Sequence, residues 1–143
     1  MLSIRAKPYK GIAMEGPIAT WYARNTRKDM RAFRRLAGTI ADAIAGTRRV
    51  LEIAPGPGYL AIELARLGAF SITGVDVSQT FVRIASANAA RAGVEVDFRH
   101  GDAHRLPFGR ASFDFIVCRA AFKNFTDPVG ALGEMRRVLK PGG

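Results

Sequence analysis

Cysteine is nearly absent from this chain: Cys118 stands alone among 143 residues. A lone thiol excludes an internal disulfide, and Cys118 has no partner at metal-ligand spacing. It lies in FDFIVC, an apolar run that reads as a buried strand. Long hydrophobic runs are missing as well. Each is interrupted well short of the ~20 residues a membrane helix needs, and MLSIRAKPYK lacks the apolar core of a secretory signal. With no address in the sequence, a cytoplasmic location is the expectation. Repeats and low-complexity segments are also absent. Acids are scarce at one end: residues 1–49 hold eleven Lys or Arg against three Asp or Glu, while the remainder holds eleven against nine. Most of the net charge of +10 is therefore N-terminal. Such a patch suits RNA, an anionic lipid or an acidic substrate, and equally a solvated helix face. Interleaved aromatics and a known nucleic-acid module are missing, which favours the solvated face.

What is present fits one domain with a single core, since 48% of the residues are hydrophobic. Residues 1–25, with Pro8, Gly11, Gly16 and Pro17, read as an irregular arm whose Trp21 and Tyr22 either cover a pocket or dock the arm on the core. Residues 26–143 form the domain proper. Thr26 is placed to cap a helix over 26–46, with Met30, Phe33, Leu36, Ala37, Ile40 and Ile44 at helical spacing and Gly46 as its stop. The other face of that helix carries Arg27, Lys28, Arg31, Arg34 and Arg35. A core over 48–143 then alternates strands and helices. VLEI is followed by a helix with Leu60, Leu64 and Leu67 on one face, and SITGVDV by a helix from Ser78 to Gly93. VEVDFRH and FDFIVCRA supply two more strands. Asp127 and Pro128 open a last helix with Val129, Leu132, Met135 and Leu139 inward. The alternation predicts an α/β fold, a Rossmann-like parallel sheet with flanking helices and right-handed crossovers. The closing Pro-Gly-Gly normally hands over to another strand, so the fold is expected to lack its last strands. The fourth strand would then present an open edge able to pair, with a second copy among other partners.

The chain is organised around VLEIAPGPGYLAIELA. Gly56 and Gly58 let backbone approach a ligand at the positive end of a helix, and the donors on offer are the amides of Gly56, Gly58, Tyr59 and Leu60. Ala54, preceding Pro55, is expected to be extended. In an open parallel sheet, ligands sit beyond the carboxyl ends of the strands, and Glu52, Asp76 and Asp102 all fall there. Asp76 follows Gly56 by the 20 residues at which an acid reaches ribose hydroxyls. Together the three acids point to an adenosine-containing ligand. GPGYLA also satisfies the glycine pattern of dinucleotide folds, but a pyrophosphate would avoid an acid beside the turn. Glu52 suits a cationic amino group or sulfonium instead.

These segments resemble the class I S-adenosylmethionine-dependent methyltransferases over about Arg48–Gly143. VLEIAPGPG resembles the first motif, GVDVS the second strand with its ribose-binding acid, and GDAHRLPF the adenine-binding turn. FDFIVCRAAFKNFTDP and ALGEMRRVLKPGG resemble the fourth strand and following helix, with wording closest to the ubiquinone and menaquinone C-methyltransferase branch. Ala54 stands where the family usually has its first glycine. The resemblance implies S-adenosyl-L-methionine as cofactor and methyl transfer to a small-molecule acceptor. The alternatives are an RNA or protein methyltransferase using the basic helix, or a non-catalytic cofactor-binding fragment. It further implies that Glu52 with the backbone of Ala54, Gly56 and Gly58 holds the methionine portion. Asp76 would take the ribose, Val77 the adenine face, and Asp102 and Ala103 the adenine edge. Arg119 and Ala120 would pass the methionine end. His100 and His104 qualify as bases by chemistry alone, and Lys123 and Asn124 as acceptor contacts.

Overall fold

The computed structural model describes residues 14–44, 48–68, 70–119 and 121–143. Four strands, β1 (Arg48–Ile53), β2 (Phe70–Asp76), β3 (Asp97–His100) and β4 (Phe115–Cys118), form one parallel sheet in the order β3-β2-β1-β4. Five helices accompany them: α1 (Gly16–Thr26), α2 (Met30–Ala43), α3 (Tyr59–Arg66), α4 (Gln79–Ala92) and α5 (Pro128–Val138). Parallel neighbours require a crossover, and α3 and α4 supply those between β1 and β2 and between β2 and β3. The order reverses between β1 and β4, so a crevice opens at the carboxyl end of β1.

The alternation of side chains along β1 divides the core into two layers. Val50 faces Phe33, Ala37 and Ile40 of α2 and Leu60 and Leu64 of α3. Leu51 and Ile53 face the other way, onto Val75, Leu106, Phe113 and Val138. Glu52 shares the parity of Val50, so the fold carries its carboxylate under α2 and α3.

Local signals set several boundaries. The Ser78 side chain accepts from the Phe81 N–H at the start of α4, and Gly93 closes that helix in the left-handed conformation. Asp127 accepts from the Gly130 N–H ahead of Pro128.

Elsewhere the structure departs from the pattern. Residues 16–26 are helical rather than irregular, with Pro17 in the first turn of α1. Thr26 caps nothing; it ends α1, its hydroxyl donates to the Tyr22 carbonyl, and a 3-10 turn, Arg27–Asp29, leads directly into α2. Residues 1–13 of the expected arm and the expected stop at Gly46 lie outside the described residues. Leu60 and Leu64 are buried, but Leu67 ends its helix half exposed. β3 is shorter than VEVDFRH. On α5 the inward face is Ala131, Met135 and Val138, while Val129 and Leu132 face solvent. The expected face was shifted because Asp127 and Pro128 fix the first turn so that Ala131, which donates its N–H to the Asp127 carbonyl, meets the sheet.

Ala54 is not extended. Its φ is +55°, with its N–H donating to the Val75 carbonyl at 2.8 Å. The chain must turn out of β1 while keeping that ladder bond, and the turn is made in a conformation that suits glycine. Ala54→Gly is expected to raise unfolding stability by about 1 kcal/mol. Urea denaturation checks this, and an unchanged or lower midpoint would mean that the turn is not strained.

Candidate functional site

A cavity of about 410 Å³ occupies the crevice. Strand ends and the turns after them line one side, with Glu52, Ala54, Gly56, Asp76, Val77, Asp102, Ala103 and Arg119 among them. Eight of the ten residues expected at the site are therefore brought to one cavity. Gly58 does not line it, and Ala120 lies outside the described residues. A Cβ on Gly58 would stand 2.7 Å from Phe98 Cζ and 2.9 Å from the Ala85 Cβ. Gly58 thus serves the packing of α4 and β3 behind the turn rather than contact with a ligand.

Two of the four amides expected to face a ligand are engaged by the protein. The Gly56 N–H donates to Asp76 Oδ2 at 3.0 Å, and the Gly58 N–H to the Pro55 carbonyl at 3.0 Å. Asp76 Oδ1 accepts from the Ser78 N–H at 2.9 Å. The Asp76 carboxylate thus joins the turn after β1 to the turn after β2. Burial pushes its pKa up, against the pull of those two amides.

Glu52 is 4% exposed, and its Oε2 is the one buried side-chain nitrogen or oxygen without a hydrogen-bond partner among the described residues. Desolvation, reinforced by nearby Asp76, raises its pKa to about 8; the Ala61 N–H and the Arg119 guanidinium act the other way without overcoming burial. A buried carboxyl with an orphaned oxygen is costly unless something meets it. The guanidinium of Arg119 lies over the Phe33 ring, 4.6 Å from its centroid.

Neither histidine is placed as a free base toward the cavity: His100 does not line it, and both ring nitrogens of His104 are engaged. His104 is buried; its Nδ1–H donates to Asp102 Oδ1 at 2.7 Å, and its Nε2 accepts the Asp127 N–H at 3.3 Å. The two bonds together fix the orientation of the ring. His100 Nε2 donates to the Val77 carbonyl at 3.0 Å. Asn124 lines the cavity; Lys123 does not.

Of the remaining wall, Tyr22 was expected either to cover a pocket or to dock the arm, and it lines the cavity; the other rings were not anticipated. Tyr22 of α1, Phe33 of α2, Tyr59, Phe81 and Phe125 surround the cavity with rings. Tyr22 and Phe81 meet edge to face at 5.8 Å, and the Tyr59 hydroxyl donates to the Ala23 carbonyl at 2.7 Å. Trp21, its neighbour, faces solvent. Glu15 accepts from the Gln79 and Thr80 amides at the start of α4 and pairs with the Thr80 hydroxyl, so α1 is fastened across the opening. The apolar periodicity of α2 was visible in the sequence, but Phe33 read as core, and it is both core and cavity wall.

An open parallel sheet with acids at three strand ends around one crevice defines a nucleoside-cofactor fold. Comparison with known proteins narrows this class. A methyltransferase domain family matches residues 50–143. A demethylmenaquinone methyltransferase of Deinococcus radiodurans is 43% identical over 115 residues, 79% of this chain and 47% of that protein. A ubiquinone biosynthesis O-methyltransferase of Dinoroseobacter shibae is 35% identical over 95 residues, 66% of this chain and 38% of that protein. The chain thus spans half or less of the length of these relatives. Among solved structures, one from Methanococcus maripaludis, assigned as an S-adenosyl-L-methionine-dependent methyltransferase, superposes with a TM-score of 0.84 at 27% identity, over 93% of this chain and 65% of that one. The [4+2]-cyclase SpnF gives 0.74 at 30% identity, over 99% of this chain and 49% of that one. The chain belongs to the class I S-adenosylmethionine-dependent methyltransferase family.

The orphaned carboxyl has a consequence for stability. The folded protein holds the Glu52 proton more tightly than the unfolded chain does, so stability falls as pH rises from about 4.5 to about 8. Glu52→Gln should remove that fall, leaving the variant the more stable of the two at pH 9 but not at pH 4. Thermal unfolding at both pH values tests this; parallel profiles would show that Glu52 is solvated.

Proposed function

We propose that the chain binds S-adenosyl-L-methionine in the crevice and transfers its methyl group to a small aromatic acceptor of the quinone-precursor kind. The observation that carries this reading is the convergence of Glu52, with its orphaned Oε2, Asp76 and Asp102 on one cavity walled by aromatic rings. The names of the curated relatives, which concern menaquinone and ubiquinone, support the acceptor class. The roof of α1 and α2 suits a small acceptor better than a macromolecule. The shared fold alone does not decide the reaction, since a cyclase uses it too.

The residues fit the cofactor. Glu52 supplies a negative charge for the amino group of the methionine portion, and Arg119 a positive one for its carboxylate. Asp76 stands ready for the ribose hydroxyls, since each of its oxygens accepts one amide and keeps a second lone pair. Val77 would lie against the adenine, with Asp102 and Ala103 at its edge. Ala54 and Gly56 close the turn beside the methionine portion. When bound, the cofactor supplies a methyl group made electrophilic by a sulfonium. The chain's own contribution is to hold an acceptor in line with that methyl and to exclude water, a positioning effect worth up to ~7–11 kcal/mol in favourable cases. The Phe33, Tyr59 and Phe125 rings provide a flat apolar surface for such an acceptor. An acceptor that ionises readily, as a phenol does, needs no dedicated base, and neither histidine is given that role here.

Calorimetric titration with S-adenosyl-L-methionine, followed by detection of S-adenosylhomocysteine with a naphthoquinol acceptor, tests the reading. Binding without turnover across phenolic acceptors would favour the cofactor-binding fragment; absence of saturable binding would refute both. Asp76→Ala should weaken cofactor binding by about 1–3 kcal/mol, the scale of hydrogen bonds to a charged group. An amino group can pair only with ionised Glu52. Binding at pH 7 should therefore release close to one proton, read from heats in buffers of different ionisation enthalpy, and affinity should climb with pH until about 8. Heats that do not vary with buffer would remove Glu52 from that role.

A further inference from the structure

We infer that the groove between α2, α3 and α4 is a binding site for a phosphate-bearing anion, formed by Arg27, Arg34, Arg66 and Arg91. This groove, about 370 Å³, lies outside the cofactor cavity and shares only Tyr59 with it. Its arginines come from separate elements: Arg27 from the 3-10 turn, Arg34 from α2, Arg66 from α3 and Arg91 from α4. Met30 and Ile62 give the groove an apolar floor.

The charge in the groove is poorly compensated. Glu63 is the only acid lining it among the described residues. Its buried carboxylate is shared by Arg34 Nε at 3.6 Å and Arg66 Nε at 4.0 Å, contacts too long to be tight hydrogen bonds. Arg91 Nη2 donates to the neutral Asn88 Oδ1 at 2.6 Å, and Arg27 has no ion pair among the described residues. Burial raises the pKa of the Tyr59 hydroxyl, while the positive field of Arg27 and Arg91 opposes it, which places both guanidinium groups near one point of the groove. Four arginines around a groove that holds one carboxylate match a multiply charged anion. Their forked donors match phosphoryl oxygens, which accept bidentate pairs. A single carboxylate would leave most of those donors unmet.

The groove backs onto the cofactor turn. Asn88 Nδ2 donates to the Pro57 carbonyl at 2.9 Å, and Tyr59 opens α3 immediately after Gly58 while its hydroxyl holds the Ala23 carbonyl. An anion gripped by Arg27 and Arg91 is thus one residue away from the glycine turn and from the roof helix. The phosphoryl group can come from a soluble diphosphate or from a phospholipid headgroup, and the two sources are separable.

The test uses two probes, inorganic pyrophosphate by calorimetry and phosphatidylglycerol-containing vesicles by co-sedimentation, at about 0.02 M salt where screening is weak. R27E/R91E is compared with R31E/R35E, which changes the net charge equally at exposed positions of α2 outside the groove. Saturable binding of either probe should weaken at least about tenfold in the groove variant and stay within about twofold in the other. Binding of pyrophosphate identifies a soluble source, and binding of vesicles alone identifies the headgroup. Equal weakening in both variants, or binding of neither probe, would overturn the site. Melting midpoints establish that the variants are folded, and R27Q/R91Q replaces the charge reversal should that pair melt early. No arm depends on methyl transfer.

Discussion

The structure depends on one carboxylate that is buried where carboxylates are costly. Asp76, at the end of β2, accepts from the Gly56 N–H of one turn and the Ser78 N–H of the next. Without it, the turn after β1 and the turn that starts α4 would have no direct polar connection across the crevice. Each amide it holds would otherwise be a buried donor without a partner, a cost of the order of a few kcal/mol. The same side chain lines the cavity. In the proposed reading it both shapes the crevice and receives the ribose.

Glu52 follows the opposite logic. It sits in a strand between Leu51 and Ile53, with the side-chain parity that directs it beneath helices, and it keeps an oxygen unpartnered. A folded protein that maintains such a group sacrifices stability to do so, which is ordinary at sites where charge is met by a ligand rather than by the protein. Asp76 is therefore satisfied before the cofactor arrives, and Glu52 is not.

Much of this was legible in the sequence, and the boundary of legibility has physical causes. Strand ends, the cap at Ser78 and the left-handed stop at Gly93 depend on neighbours within a few positions, so pattern alone located them. The strand-end acids converged as expected because a parallel sheet places all its carboxyl ends on one side. What failed was long range. Whether Gly56 donates to a ligand or to Asp76 depends on a residue 20 positions away in another turn. Gly58 looked like a ligand contact because nothing local reveals that Phe98 fills the space beside it. The α1 helix was hidden because its fastening to α4 through Glu15 spans more than sixty residues. Ala54 misled for a different reason: the preference of a residue before proline is an average, and the ladder bond to Val75 overrode it.

Phe98 carries a consequence beyond packing. Cβ atoms built on Gly58 and Gly74 would each fall within 2.7 Å of its ring, so one aromatic side chain wedges two glycines at once. It belongs to β3, an edge strand whose other residues are largely exposed. The ring therefore makes the edge of the sheet a mechanical support for the crevice, although it does not line the cavity. Drift in that peripheral strand would register as a change in the shape of the central crevice, and the rim of this sheet is under the same constraint as its middle.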